Sequence, residues 1–149
     1  MFDALARLLS EPARPAQPDL RLSVAVLLLE AARQDDHFDA AERAVITRLL
    51  AARFALGQGE CERLMATAQN QANELVQLHG HTSAIAEAMT PQQRIELIEM
   101  LWGVAYADGV LDPEEDLLIR RIAGLVYVDD RERVLARQRV LARREAKNA

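Results

Sequence analysis

The sequence predicts an all-α fold, a compact bundle of about seven helices that includes two pseudo-symmetric helical hairpins. Half of the residues are hydrophobic and only 4% are aromatic, so aliphatic side chains are expected to fill the core. The apolar residues recur at the three- and four-residue spacing of amphipathic helices, and no segment shows the strict alternation of a half-buried strand. Helix-start signals also recur, such as Thr90 followed by Pro91 and, three residues after the threonine, by Gln93.

A short N-terminal segment, residues 1–18, is predicted to precede a single helical domain that spans residues 19–149. Residues 2–10 place their apolar side chains on one side of a short amphipathic helix. Residues 11–18 contain three prolines and are expected to form an extended, semi-rigid spacer. We expect the short helix to dock on the bundle, because a helix of this length binds a bilayer only weakly.

The domain is predicted to begin with two helices joined by an acidic turn. Asp19 is a suitable N-cap for a helix that continues to about Gln34. Asp39 is a suitable N-cap for a second helix that continues to about Ala55, where the glycines that follow are expected to end it.

Five further helices are predicted after these two. They are a long helix over residues 60–78, a short helix over residues 82–89, a helix opened by Thr90 that leads to Asp108, a helix opened by Asp112, and a last, arginine-rich helix capped by Asp129. The tripeptide His79-Gly80-His81 is expected to separate the helix over residues 60–78 from the helix over residues 82–89, because glycine is a poor helix former.

Two of the turns between helices repeat the same pattern of acidic and apolar residues. The segments 31–43 and 104–116 align at a constant offset, and the apolar positions on both sides of them follow the same offset. The offset pairs Asp35 with Asp108, Asp39 with Asp112, and Glu42 with Glu115. This pattern indicates an internal repeat, in which two hairpins related by a pseudo-two-fold axis belong to one bundle.

Helix capping is one explanation of the acidic residues in these turns. Aspartate is a favoured N-cap, glutamate at the third helical position completes a capping box, and both suit the positive end of the helix dipole. Capping does not explain Asp35 or Asp108, which come before each turn, at the negative end of a helix dipole. A backbone amide, a basic side chain or a cation is needed to compensate each of them.

A divalent cation is the other explanation. Residues 108–115 match the second half of an EF-hand calcium loop, but Val104 and Tyr106 occupy the first two ligand positions, so this turn cannot hold calcium alone. If the two turns meet across the pseudo-two-fold axis, six carboxylates could share one calcium or magnesium ion: Asp35, Asp39, Glu42, Asp108, Asp112 and Glu115. The spacing leaves capping and cation binding both open.

Other chemically active residues give little support for an enzyme. His79 and His81 flank a glycine, and without neighbouring cysteines they make a weak metal signal. Cys61 has no base near it in sequence and is expected to pack in the core. The sequence contains no phosphate-binding loop, dinucleotide fingerprint or nucleophile motif, so no catalytic constellation is indicated.

The charge is unevenly distributed along the chain. The formal net charge is −5, yet residues 131–149 contain seven basic and two acidic side chains. The rest of the chain is acidic, so nucleic-acid binding is not expected. The basic last helix suits an anionic lipid or an acidic partner, but we expect its arginines to neutralise the acidic body instead. A cytoplasmic protein is favoured, because the sequence shows neither a signal peptide nor an apolar run of membrane-spanning length.

The acidic turns and their flanks resemble the TerB-like family, which includes the tellurite-resistance protein TerB. The resemblance rests on the Trp-Gly-Val-Ala-Tyr-Ala-Asp-Gly segment at residues 102–109 and on the pattern Asp-Gly-x-hydrophobe-Asp-x-x-Glu. It covers about residues 19–142, although Asp36 stands where the family often has glycine. The resemblance implies an all-α fold whose clustered acidic residues bind a divalent metal. It also implies a cytoplasmic role in stress response, phage defence or membrane-linked complexes, without a defined enzyme activity.

We consider three hypotheses for the function. The first is a non-enzymatic module in which calcium or magnesium braces the two acidic turns and sets the surface offered to a protein partner, including a membrane-associated one. The second is a metal-free helical adaptor whose acidic residues are only helix caps. The third is a metal-dependent hydrolase with an open metal position. No small-molecule substrate is indicated.

Overall fold

The computed structural model describes residues 19–33, 39–71, 75–107, 109 and 111–148, which form seven helices and contain no strand. The helices are α1 (Leu20–Ala32), α2 (Ala40–Phe54), α3 (Gln58–Gln71), α4 (Leu75–Ala88), α5 (Pro91–Ala105), α6 (Pro113–Leu125) and α7 (Asp130–Asn148). The predicted all-α fold is therefore confirmed. The N-terminal helix and spacer predicted for residues 1–18 lie outside the described residues. None of the described helices is both long and apolar enough to cross a membrane.

Helix α1 is the centre of the bundle. Every residue from Ser23 to Leu29 is buried, and so are Ala31 and Ala32. Neighbours cover this helix on all sides, because it packs against α2, α3, α4, α5 and α6. The long apolar run in its sequence therefore reflects burial around the whole helix, as is typical of a helix without a polar face.

Helix α5 is the second packing centre and carries Trp102, a fully buried tryptophan. The indole Nε1 donates a hydrogen bond to the backbone oxygen of Arg133 in α7 at 3.1 Å. The Arg137 guanidinium of the same helix lies over the rings of Trp102 and Tyr106 and donates to Tyr106 Oη at 2.6 Å. A buried indole needs a partner for its N–H, and here that partner fastens α7 against α5.

The described contacts support the predicted internal repeat. Hairpin α1–α2 corresponds to hairpin α5–α6, α1 packs on α5, and the first helix of each hairpin also packs on the second helix of the other. Equivalent side chains are buried alike, since Ile46 and Ile119 are 0% exposed and Glu42 and Glu115 are 4% and 3% exposed. A pseudo-two-fold arrangement explains both the paired contacts and the paired burial.

Local capping rules predicted five of the seven described helix starts correctly. Four predicted N-cap side chains accept backbone N–H groups of their own first turns: Asp19, Asp39, Asp112 and Asp129. Thr90 and Gln93 form a full capping box, with N···O distances of 2.9 and 3.2 Å. At α6 the bond differs from the predicted box, because Asp112 accepts the N–H of Glu114 rather than that of Glu115.

The predicted break at His79-Gly80-His81 is wrong. Helix α4 continues through this tripeptide, so residues 82–88 belong to it rather than to a separate short helix, and the helix before it is described over Gln58–Gln71. A glycine inside a helix costs about 1 kcal/mol relative to alanine. Burial of His81 and Ile85 in the core outweighs this cost, so tertiary packing decides the helix bounds here.

The predicted glycine stop after α2 is also wrong in detail. Ala55 ends the helix in the left-handed region with a φ of 53°, and Gly59 lies inside α3. A residue with a Cβ pays about 1–2 kcal/mol in that region, so the surrounding contacts hold it there. The glycine rule predicted the right place in the chain but the wrong residue.

Removing the Asp112 carboxylate tests the start of α6. In a chelating buffer, Asp112→Ala should lower the free energy of unfolding by about 1 kcal/mol, because one N-cap hydrogen bond disappears. Glu114→Ala removes an exposed charge from the same helical turn, and it should lower the free energy by less than about 0.5 kcal/mol. Urea unfolding measures the free energy of unfolding of both variants, and an equal loss in the two would contradict the assignment of Asp112 as the cap.

Candidate functional site

The two acidic turns join α1 to α2 and α5 to α6. In the first turn, Asp39 Oδ1 accepts the backbone N–H of Glu42 at 2.8 Å. In the second turn, Asp112 Oδ1 accepts the backbone N–H of Glu114 at 2.8 Å. Both bonds satisfy N–H groups that the start of a helix leaves unpaired, so these two aspartates act as helix caps.

The two glutamates at the repeated third helical position are buried. Glu42 is 4% exposed and Glu115 is 3% exposed, although glutamate in the first turn of a helix is normally solvated. Both side chains engage other groups of the chain. A buried carboxylate is stable only when hydrogen bonds, a counter-charge or a metal ion replace its hydration. The offset in the sequence identified this pair, but it gave no indication of burial.

The carboxylate groups at the turns are the type of ligand that a hard divalent cation such as calcium or magnesium prefers. Within the described residues, no group of three or more His, Cys, Asp or Glu side chains is arranged so that it could hold a metal ion. The four described acids, Asp39, Glu42, Asp112 and Glu115, therefore make no such group by themselves. Asp35 and Asp108 lie outside the described residues, so the shared six-carboxylate site stays a prediction.

A guanidinium lies beside the second acidic turn. Gly109 has a φ of +86°, a region that strains residues with a Cβ. A methyl group on its α-carbon would lie 3.9 Å from Nη2 of Arg144. Because Arg144 belongs to α7, the basic last helix brings positive charge to Gly109 in this turn.

The arginines of α7 also pair with acids on the body of the bundle. Arg139 and Arg143 both form ion pairs with Glu99 of α5, and Arg133 lies 4.0 Å from Asp116 of α6. The expectation that this helix neutralises the acidic body holds for these pairs. Arg144 and Lys147, near the end of α7, are not among these pairs.

His81 is part of a buried polar network rather than an exposed His-x-His pair. Its Nδ1 lies 2.8 Å from Ser23 Oγ, and its Nε2 lies 3.1 Å from Gln71 Oε1. Because an amide oxygen only accepts, Nε2 carries the hydrogen and Nδ1 accepts from the serine hydroxyl when the ring is neutral. His79 is exposed, and Cys61 is buried as expected, with Sγ 3.9 Å from the backbone oxygen of Thr47.

Sequence reasoning missed a groove of about 640 Å³ between α2, α5 and α7. Both α2 and α7 pack on α5, which makes α5 the floor and the other two helices the walls. Its lining combines apolar or small residues (Val45, Leu49, Ala52, Met100, Gly103, Ala107, Val140), five cations (Arg48, Arg53, Arg143, Arg144, Lys147) and two acids (Glu96, Glu99). The spacing of Val140, Arg144 and Lys147 was an available signal, because it puts them on one face of α7.

A family model matches most of the chain. The family is described as Tellurite resistance protein TerB, and the match covers residues 21–138, which include both acidic turns. The match ends before the groove-lining residues of α7. No curated protein and no solved structure matches the chain.

The buried network predicts a pH dependence of stability. Burial lowers the pKa of His81 in the folded chain, whereas the unfolded chain has the ordinary value of roughly 6.5. Below that pH the unfolded chain takes up a proton that the folded chain does not, so stability is full above it and falls as the pH drops toward the folded pKa. The loss should reach at most about 1.4 kcal/mol for each pH unit of the window.

Urea unfolding at pH 7 and pH 5 measures this loss. His81→Gln should reduce the difference in unfolding free energy between the two pH values, because it removes the buried titrating ring. His79→Gln, which removes an exposed histidine from the same helix, is the matched control and should keep the wild-type difference. An undiminished difference in His81→Gln would show that other groups cause the pH dependence.

Proposed function

The chain belongs to the TerB family, and we propose that it is a non-enzymatic binding module in which a divalent cation at the two acidic turns stabilises both hairpins. The paired burial of Glu42 and Glu115 carries this proposal, because a carboxylate buried at the same position of two hairpins suits a role that both hairpins share. The proposed ion is calcium or magnesium, and the proposed ligands are carboxylates: Asp35, Asp39, Glu42, Asp108, Asp112 and Glu115.

The acidic turns border the groove. Ala107, which lines the groove, immediately precedes the second turn, and Val45 lies about one helical turn after Glu42. Arg144 lines the groove and also lies beside Gly109. An ion that ordered the turns would therefore act on the groove through short connections, and in this way it would set the surface offered to a protein partner.

Two further observations support a binding module of the stress-response type. The family is described by tellurite resistance, which favours a cytoplasmic role in stress response for this chain. The Ser23–His81 pair resembles part of a hydrolytic site in composition, but Ser23 is 0% exposed and His81 is 2% exposed. A substrate cannot reach a hydroxyl enclosed in this way, so the pair supports packing rather than hydrolysis.

A metal-free adaptor is the second candidate, and specific contacts favour it. Asp39 and Asp112 already use a carboxylate oxygen to cap a helix, and Arg144 already brings positive charge to the second turn. In this alternative the turns need no ion, and the groove alone provides the binding surface.

Cation binding separates the two candidates. Millimolar calcium should raise the melting temperature of the full chain more than sodium does at matched ionic strength. The reason is that an ion that binds only the folded state adds about 2.7 kcal/mol of stability at roughly a hundredfold excess over its Kd. The double variant Asp35→Asn with Asp108→Asn should lose this difference, because it removes two of the proposed ligands.

A second double variant controls for the change in net charge. Glu62→Gln with Glu145→Gln removes the same charge from exposed positions on α3 and α7, and it should keep the calcium effect. If calcium, magnesium and manganese all fail to raise the melting temperature beyond the sodium value, the cation hypothesis is wrong and the metal-free adaptor is favoured.

A further inference from the structure

We propose that the groove between α2, α5 and α7 binds an acidic amphipathic helix of a partner protein. The inference rests on the partner-binding part of the proposed function and deepens it, because it names the chemistry of the partner. It does not depend on a cation at the acidic turns, so the two ideas can fail separately.

The charge of the groove is opposite to that of the chain. Five cations line it, against two carboxylates, whereas the whole chain has a formal net charge of −5. Glu99 pairs with Arg143, one of these five cations, and with Arg139, which does not line the groove, so the lining keeps an excess of three positive charges. The groove is thus a local positive surface on an acidic protein, and it is complementary to an acidic partner.

The floor of the groove has the spacing of a helix-packing surface. Helix α5 contributes Glu96, Met100 and Gly103, and Ala107 follows just after the end of the helix, so the four residues lie at spacings of four, three and four. The helical part of this stripe, from Glu96 to Gly103, extends for roughly 10 Å, or two helical turns, at 1.5 Å per residue. Residues at three- and four-residue spacing form the ridges and grooves into which a second helix packs.

The centre of the groove floor carries few side-chain atoms. Gly103 has none, and a methyl group placed there would lie 3.8 Å from Cδ1 of Leu49 on the α2 wall. Met100 and Val140 add apolar surface that is 9% and 6% exposed, and Val45 and Leu49 are partly buried. Small and apolar residues at this place allow the backbone and the apolar face of a docking helix to approach closely.

The positions of the cations favour a helix over other anionic ligands. Arg48 and Arg53 belong to the α2 wall, whereas Arg143, Arg144 and Lys147 belong to the α7 wall. A small amphiphilic anion has its charge at one point and needs one cluster of cations. A membrane surface is flat and meets exposed faces rather than a floor between two walls. An amphipathic helix with acidic residues on both sides of its apolar stripe matches charge on both walls.

A synthetic peptide tests the proposal directly. The probe is a fluorescein-labelled helix of about 14 residues, enough to span the floor, with leucines at three- and four-residue spacing and glutamates beside them. Fluorescence anisotropy against the full chain, in a buffer with chelator and low salt, should show saturable binding. Binding should weaken as salt rises, because salt screens the charges on the walls. A peptide with lysines in place of the glutamates and a peptide of scrambled order should not bind.

Two groove variants locate the binding site. Arg48→Glu with Lys147→Glu reverses one exposed cation on each wall and should weaken the Kd by roughly tenfold or more. Arg120→Glu with Arg121→Glu makes the same charge change on exposed positions of α6 and should leave the Kd unchanged. Gly103→Leu fills the floor without a change in charge and should also weaken binding, with circular dichroism to show that each variant retains its helix content.

Several results would overturn the proposal. One is the absence of acidic-peptide binding by the folded chain, and another is an equal Kd in the groove variants and the wild type. A third is binding to phosphatidylglycerol vesicles that the Arg48→Glu/Lys147→Glu variant abolishes, without any peptide binding, which would assign the groove to an anionic membrane. A calcium effect on melting without peptide binding would refute this inference alone. Peptide binding without a calcium, magnesium or manganese effect on melting would refute the cation proposal alone.

Discussion

The fold depends on the burial of a helix that has no polar face. Residues 23–29 of α1 are buried without interruption, so no orientation of this helix can leave one side in water. Five other helices cover it, and the chain supplies them as α2, the α3–α4 segment and the α5–α6 hairpin. Ser23, the polar residue within the run, is satisfied by His81 of α4. Burial and this hydrogen bond together fix where α4 packs and keep it helical through Gly80.

Features that depend on local chemistry could be predicted from the sequence. The caps at Asp39, Thr90 and Asp112 follow from interactions within a few residues, and the repeat follows from an offset that needs no knowledge of contacts. The continuation of α4 could not be predicted in this way. It depends on the burial of His81 against α1. The hydrogen-bond partner of His81 is Ser23, which is distant in sequence, and this burial outweighs the weak helix propensity of Gly80.

The groove could not be predicted for a similar reason. Its cations come from α2 and α7, and its floor comes from α5, so the positive surface exists only after three helices have packed. In the sequence, the basic residues of the last helix suggested neutralisation of an acidic body. The structure shows that Arg139 and Arg143 do pair with Glu99, while Arg143, Arg144 and Lys147 line the groove. The same helix thus serves both packing and the proposed recognition.

The acidic turns and the groove meet at α2 and α5. Glu42 and Glu115 are buried at the starts of α2 and α6, and Ala107 leads from the groove floor into the second turn. In our account, an ion at the turns orders the helix ends that border the groove. Hydrogen–deuterium exchange of the full chain with and without calcium tests this claim most directly, because it reports local opening along the whole backbone. The account predicts slower exchange with calcium at both turns and in the adjacent residues of α2 and α5. Exchange that is unchanged there, or slowed only in α3 and α4, would contradict it.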